Sequence, residues 1–112
     1  MTPDIQKILA TWWVHNFPDA EPDDAFAGMV EELGELARAR LKFKQGIRGM
    51  ADLTAKEVRE AQQDAIGDLI IFAAHLCQLE GWQLGECVSM ALNEVIGRDW
   101  RANPETGHAE EE

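Results

Sequence analysis

Long apolar stretches and the common catalytic motifs are both missing from this sequence. The longest uncharged apolar run, from Leu69 to Leu76, contains His75 and falls far short of the roughly 20 residues that a bilayer requires. No basic segment precedes an apolar stretch at its start, so we expect a soluble, cytoplasmic protein that stays out of the membrane. The sequence also has no GxxxxGK, GxSxG or HExxH motif, which argues against P-loop NTPases, α/β-hydrolases and zinc proteases.

Cysteine and positive charge are scarce. The two cysteines, Cys77 and Cys87, match neither the spacing of a metal knuckle nor the cysteine density of a small secreted domain, so we expect reduced, structural thiols. Ten Lys and Arg residues stand against 21 Asp and Glu residues, which gives a formal net charge of −11. This charge argues against a nucleic-acid partner, because such proteins usually present a basic surface to the phosphate backbone.

Half of the basic residues lie together, directly after the acidic residues Glu31, Glu32 and Glu35. They could form a solvated helix face that balances the acids. They could instead form a basic patch of the kind that a metal-bound polyphosphate needs. The five residues are Arg38, Arg40, Lys42, Lys44 and Arg48.

Helix start and stop signals divide the chain into four helical segments. Thr2 is a candidate N-cap before a proline, acidic residues open the second segment, and Thr54 with Glu57 forms a capping box at the third. Gly46 and Gly81 suit the ends of the second and third segments. We therefore predict one domain over 1–104 with an all-α, four-helix bundle-like fold, followed by a flexible acidic tail over 105–112. The predicted helices cover about 3–15, 23–46, 54–80 and 83–100.

Two acidic clusters stand out, Glu31, Glu32 and Glu35 in the second helix and Asp64 and Asp68 in the third. At about 100° per residue, each cluster falls on a single helix face. The third helix is apolar nearly all round, and an uncompensated carboxylate in such a helix is costly. If the two helices pack together, the five carboxylates could converge, and their repulsion would favour a bound divalent cation. Oxygen ligands alone suit Mg²⁺ or Mn²⁺ better than Zn²⁺.

A second interpretation of these acidic residues is structural. Glutamates at i and i+4 are common on exposed helix faces, and an EExxE pattern alone occurs by chance in acidic proteins. His75 fits a core or interface histidine better than a metal ligand.

The chain resembles the MazG-like, all-α nucleoside triphosphate pyrophosphohydrolases, specifically the short, phage-type members. The resemblance rests on EELGE, a basic connector and an acidic G-D pair that opens an apolar helix, over residues of about 25 to 78, and on GRDWRANP downstream. In the family the second motif is ExxD, whereas this chain has Ala65 three residues before Asp68 and Asp64 four before it. Since both positions share a helix face with Asp68, Asp64 is the expected substitute.

The resemblance implies Mg²⁺-dependent hydrolysis of nucleoside or deoxynucleoside triphosphates to a monophosphate and pyrophosphate. It assigns the five carboxylates to the metal, and Glu31 or Glu32 to the attacking water. Lys42, Lys44 and Arg48 are candidates for the outer phosphates, with Asn93 and Arg98 as further candidates. Adjacent Trp12 and Trp13 point about 100° apart, so one could pack in the core while the other stacks on a base.

An apolar central helix in so short a chain leaves surface to cover, so we expect a homodimer or a homotetramer. Two alternatives to the nucleotide hydrolase stay open. One is a non-catalytic helical interaction or regulatory protein with a metal-stabilised acidic face, which Ala65 favours. The other is a pyrophosphohydrolase that acts on a non-nucleotide phosphorylated metabolite.

Overall fold

The computed structural model describes residues 3–50 and 53–109, and within these ranges it contains helices and turns but no strand. The all-α prediction is therefore confirmed. None of the described helices is long and apolar enough to cross a membrane. The four helices are α1 (Ile5–Asn16), α2 (Pro22–Gln45), α3 (Ala55–Glu80) and α4 (Leu84–Ile96).

A side-chain hydrogen bond to the backbone marks the start of each of the first two helices. The Asp4 carboxylate accepts a hydrogen bond from the backbone N–H of Lys7 at 3.1 Å, which makes Asp4 the N-cap of α1. The predicted cap, Thr2, lies outside the described residues. At α2 the Asp24 carboxylate accepts from the backbone N–H of Glu21 at 2.8 Å, one residue before the proline that opens the helix.

The predicted capping box of α3 is confirmed. The Thr54 hydroxyl accepts from the N–H of Glu57 at 3.1 Å, and the Glu57 carboxylate accepts from the N–H of Thr54 at 3.2 Å. Gly46 and Gly81 end α2 and α3 in the left-handed conformation, with φ of 69° and 78°. A side chain at either position would strain the backbone, which explains why glycine ends both helices.

The predicted end of the fourth helix at Trp100 is wrong, because α4 stops at Ile96. The Asp99 carboxylate accepts from the N–H groups of Arg101 and Ala102 at 3.1 and 3.0 Å, and the Asp99 N–H donates to the Gly107 carbonyl at 2.7 Å. These bonds satisfy the backbone in turns instead of a helix. Residues 105–109 take part in this turn segment, and residues 110–112 of the predicted tail lie outside the described residues.

Helices α2 and α3 form the most extensive helix pair and run antiparallel, because Gly28 meets Phe72 while Arg40 hydrogen-bonds Gln62. Helix α1 packs on the C-terminal half of α3, where Trp13 is 3% exposed. The described hydrophobic core is small, which limits how much of each helix the single chain can bury. It consists of Trp13, Ala25, Val58, Ala74 and Cys77.

A buried glutamine joins the ends of three helices. Gln6 in α1 is 6% exposed, and its amide nitrogen donates to the Gln78 side chain at 3.1 Å and to the Trp82 carbonyl at 2.9 Å. Its amide oxygen accepts from the N–H of Leu84 at 2.6 Å. Gln6 therefore caps the start of α4 from a distant part of the chain.

Much apolar surface stays uncovered in the single chain. Phe26, Val30 and Leu33 on α2 are 55–56% exposed, and large residues of α3 and α4 are exposed as well. The accessible surface is 8982 Å², whereas a compact monomer of this mass exposes about 6,200 Å². The radius of gyration is 18.3 Å, compared with about 13 Å for a compact domain of this length. The chain is thus far more open than a self-contained monomer.

Candidate functional site

A groove of about 190 Å³ between α2 and α3 gathers four carboxylates, and we call it the acidic groove. Two of the carboxylates come from each helix, on positions that helical spacing places toward the same seam. The floor contains three alanines, which leave the space between the acids open. The lining residues are Glu32, Glu35, Leu36, Ala39, Ala61, Asp64, Ala65 and Asp68.

Ala65, which stands where the expected ExxD pattern has a glutamate, lines this groove. Ala65 and Asp64 both line it, together with Asp68. Asp64 therefore brings a carboxylate to the groove that Ala65 also lines. Glu31, by contrast, is exposed and lies outside the groove lining.

The neighbouring carboxylates of the acidic groove affect the pKa of Glu32. Desolvation by burial raises the pKa of Glu32, and the nearby charges of Glu35, Asp68 and Glu31 raise it further. Glu32 and Asp68 are half-buried, whereas Glu35 and Asp64 are exposed. The groove thus already disfavours the negative charge that a cation would compensate.

The donor chemistry of the groove fits a hard divalent cation, because all four polar side chains are carboxylates. Within residues 3–50 and 53–109, no three acidic, histidine or cysteine side chains are gathered closely enough to enclose an ion as they stand. Loading would therefore require rotation of the flexible glutamate side chains toward the two aspartates. The two helix backbones already present the four residues to one space.

The predicted phosphate-binding cations Lys42, Lys44 and Arg48 are not among the described residues that line the acidic groove. Lys44, together with Arg40, lines a wider groove of about 750 Å³ that shares Leu36 with the acidic groove. Lys42 donates to the Gln45 side chain at 3.3 Å, and Arg48 is exposed in the following loop. Arg40 is a further candidate cation, because its hydrogen bond to Gln62 places it at the α2–α3 seam.

Asn93 and Arg98 are not among the described residues that line the acidic groove. Asn93 is exposed on α4. The Arg98 guanidinium donates to the Glu94 carboxylate at 2.8 Å and lies 5.5 Å from the centre of the Trp100 ring. Arg98, which follows α4, is therefore already engaged by Glu94 of that helix and by Trp100.

The two adjacent tryptophans have different environments. Trp13 is buried and stacks on the His75 ring, with ring centroids 4.7 Å apart and an interplanar angle of 9°. Trp12 is 50% exposed and meets Phe17 edge-on at 5.7 Å. Burial lowers the pKa of His75, as expected for a core histidine. Of the two indoles, only Trp12 offers an open ring face.

A second cavity of about 510 Å³ lies farther along the α2–α3 seam, beside the turn between α1 and α2, and we call it the aromatic cavity. It was not predicted from the sequence, because it depends on how that turn folds against α3. The one sequence signal for this cavity is the spacing of Asp68, Phe72 and His75, which places them on one face of α3. The lining residues are Asn16, Phe17, Pro18, Asp19, Ala20, Asp24, Ala25, Phe72 and His75.

The contact between Gly28 and Phe72 separates the aromatic cavity from the acidic groove. A Cβ atom at position 28 would overlap the Phe72 ring, so glycine lets this ring lie against the backbone of α2. Asp68 and His75 are seven residues apart on α3, which corresponds to about 10 Å along the helix. The two spaces therefore lie in line, one acidic and one aromatic.

Comparison with models of known protein families, with curated proteins and with solved structures finds no match for this chain. The resemblance to the MazG-like proteins therefore stays an expectation from its motifs. The acidic groove and the aromatic cavity are the features on which a functional proposal can rest.

Proposed function

We propose that this protein is a Mg²⁺-dependent nucleoside triphosphate pyrophosphohydrolase. The observation that carries the proposal is the acidic groove, where α2 and α3 each contribute two carboxylates to one space. Neighbouring carboxylates repel one another, and this repulsion contributes to the raised pKa of Glu32. A cation removes that repulsion, and a polyphosphate needs such a cation to enter a strongly acidic protein.

In this proposal Glu32, Glu35, Asp64 and Asp68 hold the metal, with Glu31 as an outer contributor. Bound Mg²⁺, or Mn²⁺ in its place, supplies charge neutralisation to the phosphate oxygens. Glu32 is a better candidate than Glu31 for the water, because Glu32 is among the described residues that line the acidic groove and Glu31 is not. The water oxygen bonds to the α-phosphorus, its proton passes to Glu32, and the bond to the bridging oxygen breaks to release pyrophosphate.

Cations next to the groove would hold the outer phosphates. Arg40 and Lys44 are the residues that the neighbouring groove supports best for this role, with Lys42 and Arg48 farther along the same stretch. A guanidinium at the seam can bond two phosphate oxygens at once, which favours Arg40. Asn93 and Arg98 stay candidates only for a site completed by another copy of the chain.

The aromatic cavity is the proposed location of the nucleoside. Phe17 and Phe72 provide rings for stacking, and Asp19 and Asp24 place hydrogen-bond acceptors in the lining. Asn16 already donates its amide to the Trp12 carbonyl at 2.9 Å, so its oxygen is a further acceptor. Such a lining favours bases that carry an exocyclic amino group over uracil and thymine.

We further propose that the protein is a homodimer or homotetramer. The chain exposes about 2,800 Å² more than a compact monomer of its mass, whereas a standard interface covers about 800 Å² of each partner. The excess is large enough for more than one interface. The oligomer is measured by light scattering across protein concentrations, and a monomer at all of them would contradict this part of the proposal.

The activity is tested by incubating the protein with each ribonucleotide and deoxyribonucleotide triphosphate in Mg²⁺ and measuring pyrophosphate and monophosphate. Asp68→Asn should reduce turnover about 100-fold or more, because a lost ligand costs several kcal/mol of transition-state stabilisation. Glu60→Gln is the matched control, since Glu60 is exposed one turn before Asp64 and pairs with Lys56 at 3.5 Å. Equal loss in both variants would contradict the site.

One rival function is favoured by specific observations. Ala65 stands three residues before Asp68, where the ExxD motif has a glutamate, and among the described residues the carboxylates do not enclose an ion as they stand. Both fit a non-catalytic interaction protein with an acidic face. Absence of turnover with every nucleotide, combined with thermal stabilisation by Mg²⁺, would favour this rival. Turnover of non-nucleotide pyrophosphates alone would instead point to a different phosphorylated metabolite.

A further inference from the structure

His75 lines the aromatic cavity from a buried position. Its side chain is 7% exposed, and the cavity has a volume of about 510 Å³. The Trp13 indole lies almost parallel to the imidazole, with ring centroids 4.7 Å apart. Because Trp13 is itself buried, this stack fixes the plane of the imidazole before any ligand enters the cavity.

The ring nitrogens of His75 are available to a ligand. None of the side-chain hydrogen bonds between residues of the described ranges, 3–50 and 53–109, involves them. In the same ranges, no buried side-chain nitrogen or oxygen lacks both solvent contact and a hydrogen-bond partner. The nitrogens of His75 therefore reach open space, and the aromatic cavity is the described space that this residue lines. Buried polar groups without a protein partner are uncommon, which makes this imidazole a candidate ligand contact.

The other polar side chains of the cavity lining supply mainly hydrogen-bond acceptors. The carboxylates of Asp19 and Asp24 accept hydrogen bonds but do not donate them. The Asn16 amide nitrogen already donates to the Trp12 carbonyl at 2.9 Å, which leaves its oxygen for a ligand. Burial lowers the pKa of His75, so at neutral pH its imidazole is uncharged and carries one N–H donor and one nitrogen acceptor. His75 thus offers the donor that the carboxylates lack.

We infer that His75 determines base specificity by donating its N–H to a ring nitrogen of the bound base. This inference rests on the proposed function, because it takes the aromatic cavity as the nucleoside site. Adenine and cytosine each carry an exocyclic amino group next to a ring nitrogen that accepts hydrogen bonds. A carboxylate of the lining can accept from the amino group while His75 donates to that nitrogen. Uracil presents a carbonyl and an N–H at the corresponding positions, so both contacts are lost.

The test compares cytidine monophosphate (CMP) with uridine monophosphate (UMP), which share sugar and phosphate and differ at the base edge. Their dissociation constants are measured by calorimetry in Mg²⁺ on the full-length protein, and kcat/KM is measured for CTP and UTP. Wild type should prefer CMP, and His75→Phe should reduce this preference about tenfold, because one hydrogen bond is lost while an aromatic ring remains. His75→Gln should retain most of the preference, since its amide keeps a donor and an acceptor.

The ratio of the two nucleotides is the decisive readout, because a partial loss of folded protein affects both equally. His15→Phe is the matched control and should keep the wild-type ratio, since His15 is exposed and is not among the described residues of the lining. Wild type without a preference, or His75→Phe with the wild-type ratio, would overturn the role of His75 even if every triphosphate is hydrolysed. A preference in binding that depends on His75, without hydrolysis of any triphosphate, would support this role and contradict the hydrolase.

Discussion

Replacement of Gln6 by leucine is expected to weaken the junction of α1, α3 and α4. Leucine has nearly the same size as glutamine but can neither donate nor accept a hydrogen bond. The variant therefore removes the bonds to Gln78, to the Trp82 carbonyl and to the Leu84 N–H without opening a large cavity. Because Gln6 is 6% exposed, water cannot easily replace these partners.

The expected loss of stability is about 2 kcal/mol. Three hydrogen bonds contribute about 1 kcal/mol each, and the leucine side chain returns about 1 kcal/mol through added apolar burial. At the unfolding entropy typical of a chain of this length, such a change lowers Tm by about 8 °C. The start of α4 should also lose protection from hydrogen exchange, since Gln6 is its cap.

The free energy of unfolding is measured by urea titration, with the fluorescence of the four tryptophans and helical circular dichroism as separate probes. Protein concentration is held constant, because assembly would also stabilise the chain. Gln78→Leu is the matched control, since it removes only one of the three bonds and lies on the surface. The reasoning is refuted if Gln6→Leu costs less than about 0.5 kcal/mol or no more than the control.

Three further predictions concern other parts of the chain. Burial lowers the pKa of His75 below its ordinary value near 6.5, so the unfolded chain takes up the proton first and stability should fall as pH drops below about 6.5. His75→Phe should flatten this fall in urea titrations, and an unchanged slope would exclude His75 as its source. Gly28→Ala should cost about 1–3 kcal/mol because its Cβ would overlap the Phe72 ring, and Phe72→Leu should recover part of this loss in a double-mutant cycle. Burial and neighbouring carboxylates raise the pKa of Glu32, so its charge opposes folding above about pH 4.5, and Glu32→Gln should raise Tm at pH 7 while turnover is lost. A lower Tm, or a Mg²⁺-induced Tm increase as large as in wild type, would argue against a role for Glu32 in the acidic groove.

The parts of the fold that depend on local chemistry could be predicted from the sequence. Thr54 and Glu57 mark the start of α3 because their bonds involve only the first turn, and Gly46 and Gly81 mark helix ends because they adopt positive φ. The end of α4 was missed because Asp99 binds backbone groups that follow it, and the helical pattern carries no sign of this competition.

The acidic groove was predictable in part. Helical spacing places Glu32, Glu35, Asp64 and Asp68 toward one seam, and the structure brings these four together. Spacing alone could not separate Glu31, which lies on the edge of the same face. The apolar residues Phe26, Val30 and Leu33 of α2 are exposed in the single chain, because helical spacing identifies an apolar face without identifying what covers it.

Helix α4 is anchored at its first residues, so a small tilt there moves its far end by a larger distance. Its 13 residues extend for about 20 Å beyond the junction with α3. A tilt of about 10° at the first turn would move the far end of the helix by about 3 Å, which is close to the length of a side-chain contact. A change of a single bond near Leu84 can therefore be amplified into a displacement of the apolar residues at positions 92, 95 and 96.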